Sequence, residues 1–390
     1  MITPAMIEAG AAALRECKEG LDEGEKALIV FEAMKAAAPV EEPVPEPEPE
    51  PEPTYPASKI PDAQHILKTP DDYTAEQIAW AKAVLAAHGV AEPVPVDDPV
   101  DETPTPTPVP TGIRVSGQAE LDKALQAATG GEVFNLEAGS WALNISKAYA
   151  STVTLNCAGV TLKGGGKISG KNVTINGGKV TGWSSAGQGK FMDVSNSDGV
   201  TFNGTEFAGA DSTGWAVFGR NVSNLAIKKG PIHDCRDGVV IWTGKNITVD
   251  GVAFSRMGSD CIDPSNVDGV YVRNSSVRDA KHEKGAHPDF VQLGTTACKN
   301  VYIEDNDLDA TTMGIDDFGS FTANQNVNIR RNRITTNEYE NAIVFEQSGT
   351  TGEVVDNIII SGPNSQGKKP RFVIPSSMTK RGNTIDGRPV

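Results

Sequence analysis

The 390-residue sequence has no CxxC pair, no basic excess and no apolar run long enough to span a membrane. Its five cysteines are Cys17, Cys157, Cys235, Cys261 and Cys298. They come without a companion histidine pattern, which argues against a zinc site. The odd count argues against a closed set of intrachain disulfides. Four of them read as small buried residues. Cys17 lies apart, on an expected helix, and could pair between chains. The net charge of −16 leaves none of the basic footprint that nucleic-acid binding requires. Residues 1–38 lack the basic start and unbroken apolar core of a signal peptide, and carry Glu8, Glu16, Glu19, Asp22, Glu23 and Glu25 instead. The expectation is a protein made in a cytoplasm without Sec export, with neither a membrane nor a nucleic acid as partner.

What is present divides sharply. Residues 1–111 hold 22 acidic and 7 basic residues and 18 of the 25 prolines, whereas the remaining 279 hold 29 acidic and 28 basic. The acidic balance therefore belongs to an N-terminal arm. Residues 1–38 read as a helical anchor segment, with apolar stripes at Met6, Ile7, Ala11, Leu14 and Cys17 and at Leu28, Ile29, Phe31 and Met34. Residues 39–60 form a Pro/Glu-rich linker, whose alternating run Pro43 to Pro53 is an extended, self-repelling spacer. Residues 61–91 hold a second short helix, Thr74 to Gly89, and residues 92–111 a second Pro-rich linker. Segments this small cannot build a large core alone, so they are expected to dock on a partner or to trimerise. The alternative is an unstructured acidic tail that only solubilises.

From residue 171 onward a strand pattern returns about every 25 residues. It reads Lys171-Asn172-Val173-Thr174-Ile175, then Asp198-Gly199-Val200-Thr201-Phe202, Lys245-Asn246-Ile247-Thr248-Val249 and Asp268-Gly269-Val270-Tyr271-Val272. The first apolar residues fall at 173, 200, 225, 247, 270, 301, 327 and 354. Apolar and polar residues alternate within each copy, the period of a strand with one buried face. Asn, Asp and Gly follow, supplying turns. No helix separates the copies, and several coils carry a second strand, such as Val239-Val240-Ile241 and Ile343-Val344-Phe345. Residues 112–390 therefore read as a solenoid of the parallel β-helix type, in which each coil buries its apolar face only against its neighbours.

A helical pattern over Gln118 to Ala128 precedes the solenoid, and a helix there would protect the open edge of the first coil. The segment Glu120 to Leu125, then Gly130-Gly131, Leu136 and Gly139-Ser140-Trp141, resembles the opening segment of right-handed parallel β-helix proteins of the pectate lyase and phage tailspike kind. The resemblance covers roughly residues 113–390. It implies an all-β, right-handed, single-stranded parallel β-helix with an N-terminal capping helix. It implies little about activity, because this fold serves lyases, hydrolases and pure binding proteins alike.

Candidate site residues follow from alignment of the second strand. Val239, Ile262, Val291, Ile315 and Ile343 align, and the next position reads Val240, Asp263, Gln292, Asp316, Val344. On a solenoid these stack in one outward row, and Asp263 and Asp316 fall two rungs apart, about 9–10 Å. That is near the upper edge of the carboxylate separation in inverting glycosidases. Asp237, Asp260 and Asp289 form a second row two positions earlier, and Asp317 and Glu346 lie just beyond the first. Gly258-Ser259-Asp260-Cys261-Ile262-Asp263 resembles the Asp-Cys-Ile strand of polygalacturonase-type glycosidases, without that family's Asn-Thr-Asp and Arg-Ile-Lys companions. His287-Pro288-Asp289-Phe290-Val291-Gln292 resembles the His-x-Asp-x-x-Gln strand of some polysaccharide-active β-helix proteins. It follows an inserted loop, Asp279 to Ala286, that brings Lys281, His282 and Lys284.

In a hydrolase, two of Asp263, Asp289 and Asp316 would act as acid and base, with His287 tuning one of them. Gln292, Lys281, His282, Asp260, Asp317, Glu346 and Trp242 would contact substrate. No cofactor or metal is expected for a hydrolase. In a lyase, Lys281, His282 or His287 would be the base, and the acidic row could hold calcium around a uronate. The ordinary alternative for Asp260 and Asp289 is turn chemistry. His233 reads as structural. Trp183, Trp215 and Trp242 read as outward, stacking on sugar or lining a trimer interface, with inward packing in the core or an end cap as the alternative.

The resemblance and the arm together lead to a bacteriophage spike or fibre. In that reading residues 1–91 attach to other virion proteins, and a trimeric β-helix recognises or cleaves host surface polysaccharide. A structural virion shaft without catalysis is the second reading, and a bacterial polysaccharide lyase or hydrolase the third.

Overall fold

The computed structural model describes residues 82–83, 85–86, 112–182, 189–210, 214–279, 288–310, 313–317, 322–337, 339–363 and 368–390. The chain divides into two units, Met1–Pro104 and Thr105–Val390. In the first, residues 82–83 and 85–86 are helical, within the helix expected over Thr74 to Gly89. The expected anchor helices, both Pro-rich linkers, Cys17, Trp183 and loop residues 280–287 lie outside the described residues.

In the second unit, the alternation of apolar and polar residues produces short strands that stack coil upon coil. Nineteen strands form one long sheet and twelve form another. The pairings among the described residues are parallel until the last, where Thr384–Ile385 meets Arg388–Pro389 antiparallel. Three strands, Trp215–Lys228, Asp237–Asp250 and Ile262–Arg273, run through a corner and so contribute to two faces of the coil. The fold is an all-β, right-handed parallel β-helix.

The repeat read from the sequence is the buried column of this solenoid. Val173, Val200, Leu225, Ile247, Val270, Val301 and Val327 lie one above another in register. All are buried, and each such side chain contributes about 1.5–3 kcal/mol of transfer free energy. On the twelve-stranded sheet a second column runs Leu162, Val180, Phe207, Ile232, Phe254, Val277, Leu308, Ile334, Ile359. The solenoid also starts earlier than residue 171: Phe134 and Leu155 continue the column of Ile175.

One register differs from the sequence expectation. Val354 pairs with Ile329, not Val327, and Gly352 pairs with Val327. A Cβ at position 352 would meet the Val327 carbonyl oxygen at 2.0 Å, and its φ is +136°. Glycine therefore occupies the place that an apolar residue holds in the other coils.

Turn chemistry explains the second residue of the repeat. Asn172, Gly199, Asn224, Asn246, Gly269, Asn300 and Asn326 all have φ between +51° and +88°. Only Gly, and Asn or Asp among side-chain-bearing residues, take this conformation readily. The asparagine amides also stack, Asn246 donating to Asn224 at 2.9 Å and Asn326 to Asn300 at 2.8 Å.

The expected cap is the helix Gln118–Ala127, which buries Leu121 and Leu125 over the first coil. Ser116 donates from its backbone N (2.7 Å) and Oγ (2.9 Å) to the Glu120 carboxylate, closing the first turn.

Candidate functional site

The second-strand alignment holds residue by residue. Val239, Ile262, Val291, Ile315 and Ile343 pair in successive rungs. The following position therefore forms a column of Phe218, Val240, Asp263, Gln292, Asp316 and Val344. Asp263 and Asp316 lie two rungs apart, with half-buried Gln292 between them.

The second row is equally ordered. Asp237 Oδ1 accepts from Asp260 N at 3.3 Å, and Asp260 Oδ1 accepts from Asp289 N at 2.9 Å. Each carboxylate thus holds the backbone of the next coil, as turn chemistry would have it. The carboxyls also gather. Asp289 and Asp316 share a side-chain hydrogen bond, and Asp289 is hydrogen-bonded to Asp260 as well.

Burial departs from the outward row expected for Asp316. Its residue is 1 % exposed and Asp289 0 %, whereas Asp263 is half-buried. Asp316 turns toward Asp289, which removes it from the surface. Asp263 is the one carboxyl of this group that is not fully buried. Gly294 makes room for it: a Cβ there would lie 2.9 Å from Asp263 Oδ1.

The electrostatics follow from this packing. Burial, then the charges of Asp260 and Asp237, push the Asp263 carboxyl up to about 7. Burial and the Asp260 charge hold Asp289 well above the usual carboxylate range. Burial also raises Asp237. Like charges this close cannot all ionise, so the cluster retains protons at neutral pH.

A pH dependence of stability follows, with its sign fixed by these directions. The folded cluster binds protons that the unfolded chain releases near pH 4. Stability contributed by the protonated cluster is complete below that value and is lost as pH rises through about 7. The paired carboxylate Asp234, held at about 2 by Arg256, titrates well below this window. The unfolding temperature is therefore expected to be higher at about pH 5 than at about pH 8, as thermal denaturation followed by circular dichroism would show. Asp263→Asn is expected to flatten that difference.

The remaining expected residues fall into place around the cluster or outside it. Asp317 is buried and accepts from Glu346 N at 2.8 Å, an inter-coil tether. Burial raises its carboxyl. Glu346 is exposed and pairs with Arg371 at 2.6 Å. Lys281, His282 and His287 lie outside the described residues. His233 is on the other sheet, bridging Asp234 at 2.7 Å and Glu206 at 3.0 Å. Cys157, Cys235, Cys261 and Cys298 are buried free thiols.

The carboxyl column continues directly into aromatic residues. Trp215, Phe218 and Val240 form an apolar cluster separate from the solenoid interior. Trp215 stacks on Phe218 at 5.0 Å, and Trp242 meets Phe218 edge-on at 5.1 Å. Trp242 is 37 % exposed, in the outward position expected, while Trp215 is covered by its neighbours on the same outer face. Sequence reasoning missed Phe218 and Gly294. Extending the register one coil back from Val240 would have found Phe218.

A family model agrees with this architecture over part of the chain. A family described as "Right handed beta helix region" matches residues 158–287. No curated protein matches the sequence. Among solved structures the chain is similar to PfbA, a surface adhesin of Streptococcus pneumoniae, at 11% identity and TM-score 0.43, over 69% of this chain and 88% of that one. It is similar to an alginate lyase from Paenibacillus sp. str. FPU-7 at 15% identity and TM-score 0.40, over 70% and 99%. It is also similar to the PL6 family polysaccharide lyase Pedsa3628 from Pseudopedobacter saltans at 12% identity and TM-score 0.33, over 70% and 92%.

Proposed function

We propose that the β-helix binds a polysaccharide along the face that carries Asp263 and cleaves it by acid-catalysed hydrolysis. The carrying observation is the half-buried carboxyl of Asp263, which burial and two neighbouring aspartates push up to about 7, beside the hydrogen-bonded pair Asp289 and Asp316. Asp263 donates its proton to the glycosidic oxygen as the C–O bond breaks. Asp289 and Asp316, hydrogen-bonded to each other and buried, hold the neighbouring rungs in place, and the attacking water releases its proton to solvent. Gln292, between Asp263 and Asp316 in the column, orients that water or a sugar hydroxyl. Calcium has no part in this reading, because a buried cluster that keeps its protons is poor chemistry for a cation that requires ionised oxygens.

The finer reading is a virion spike. The acidic arm of helix, spacer, helix and spacer would attach it to the particle, and the β-helix, as a homotrimer, would meet host surface polysaccharide. The arm's composition supports this, since a Pro/Glu spacer holds a domain away from its anchor. The test is incubation of the full-length protein with host capsule and lipopolysaccharide, reading chain length and the ultraviolet absorbance of an unsaturated uronate. Shortened chains without new absorbance support hydrolysis. New absorbance replaces it with a lyase, and unchanged chains overturn the catalytic reading.

One observation favours a non-catalytic shaft. Asp237, Asp260 and Asp317 each hold a backbone N–H of the following coil. Were that their whole role, Asp260→Asn would destabilise the fold and Asp263→Asn would change nothing else.

A further inference from the structure

The aromatic cluster next to the carboxyls has features that packing alone does not require. It floors a groove of about 370 Å³ between the strands Lys190–Asp193, Trp215–Lys228 and Asp237–Asp250. The alternation that puts Val239 and Ile241 inside puts Trp242 outside, where a small polar residue would suffice. Instead an indole presents 37 % of its surface to solvent. An amphipathic ring of this kind suits the apolar face of a pyranose.

Two cations stand at the rim. Arg220 is exposed, with its guanidinium 5.0 Å from the Trp242 ring centre. Among the described residues it has no carboxylate partner. That contrasts with Arg256, Arg278, Arg330, Arg331 and Arg333, each of which faces an acid across a rung. Lys190 lies over the Phe218 ring at 3.7 Å and 3.2 Å from Asp193. A guanidinium resting beside an indole, with no carboxylate partner among the described residues, can still offer two N–H donors to a bidentate anion.

The groove and the carboxyl cluster share one column, Phe218, Val240, Asp263. A chain lying along the solenoid axis would pass from the aromatic floor to Asp263 within two rungs, about 10 Å.

We propose that this groove is a binding subsite for a pyranose bearing an anionic substituent. The sugar ring lies on Trp242 and the anion is held by Arg220, while Lys190, paired with Asp193, lies over Phe218 at the rim. The proposal rests on the glycan reading above and names the sugar chemistry that this face selects. The anion could be a carboxylate or a sulfate ester, and the guanidinium suits both.

The test is calorimetric titration of the full-length protein with oligosaccharide probes. The probes are tetramers of galacturonate, guluronate and glucuronate-containing hyaluronan, their carboxyl-reduced counterparts, and a sulfated galactan tetramer. At least one anionic probe is expected to bind, and its neutral counterpart about 10- to 100-fold more weakly. Arg220→Gln is expected to weaken the anionic probe by a similar factor and leave the neutral one nearly unchanged, while Trp242→Ala weakens both. A uronate preference assigns the anion as a carboxylate, and a galactan preference assigns it as a sulfate. Equal binding of charged and neutral probes, no binding of any probe, or no effect of Arg220→Gln overturns the proposal. So does a change of oligomeric state in Trp242→Ala with glycan binding intact, which would make the patch a subunit interface. Binding without cleavage leaves this subsite standing and removes the hydrolase reading. Cleavage that is indifferent to Arg220 does the reverse.

Discussion

Replacing Asn332 with alanine is expected to destabilise the β-helix by about 3–5 kcal/mol, read as a fall in the urea midpoint. Asn332 is one of four buried asparagines, with Asn306, Asn357 and Asn383, stacked at the same turn of successive coils. Its Oδ1 accepts from Asn306 N at 3.1 Å and Nδ2 at 2.9 Å. Its Nδ2 donates to the Ile303 carbonyl at 2.8 Å and to Asn357 Oδ1 at 3.0 Å. Alanine would strand a backbone N–H and a backbone C=O inside the solenoid, where water cannot replace the lost partner. Asn203 makes a similar bond to Asn176, at 3.2 Å, on the surface. Asn203→Ala is expected to cost under about 0.5 kcal/mol, because solvent takes over. Equal midpoints for the two variants would refute the ladder's role in stability.

Replacing Asp263 with asparagine is expected to lower the rate of glycan cleavage by about 100- to 10,000-fold while the fold persists. Asparagine fills the same space against Gly294, so the backbone need not move. It carries no transferable proton. The same variant is expected to be more stable than the parent at about pH 8, where the parent must ionise a carboxyl that burial and two neighbouring aspartates hold up at about 7. Loss of cleavage with gain of alkaline stability separates an acid catalyst from a structural tether, whose removal would cost stability. Cleavage retained within a few-fold would move the acid role away from Asp263.

Much of the fold was legible because a solenoid repeats its physics. Val173, Val200, Ile247 and Val270 recur since each coil must bury the same face, and the Asn or Gly before them recurs because that position has positive φ. Register then placed Asp263, Gln292 and Asp316 in one column from sequence alone. What escaped was local. The pairing of Gly352 with Val327 was hidden because a glycine stood where the pattern called for an apolar side chain. The burial of Asp316 depends on where its carboxyl turns, and alternation says only that it leaves the interior. The asparagine ladder looked like ordinary turn residues, since sequence does not distinguish an amide turned into the solenoid from one turned out of it.

The measurement that bears most directly on a protonated acid beside a glycan groove is a carboxyl-carbon NMR titration of the full-length protein, with Asp263→Asn as the assignment control. The expected result is a resonance absent from the variant, with its midpoint near 7. A midpoint near 4, the ordinary value for a solvated aspartate, would contradict the account.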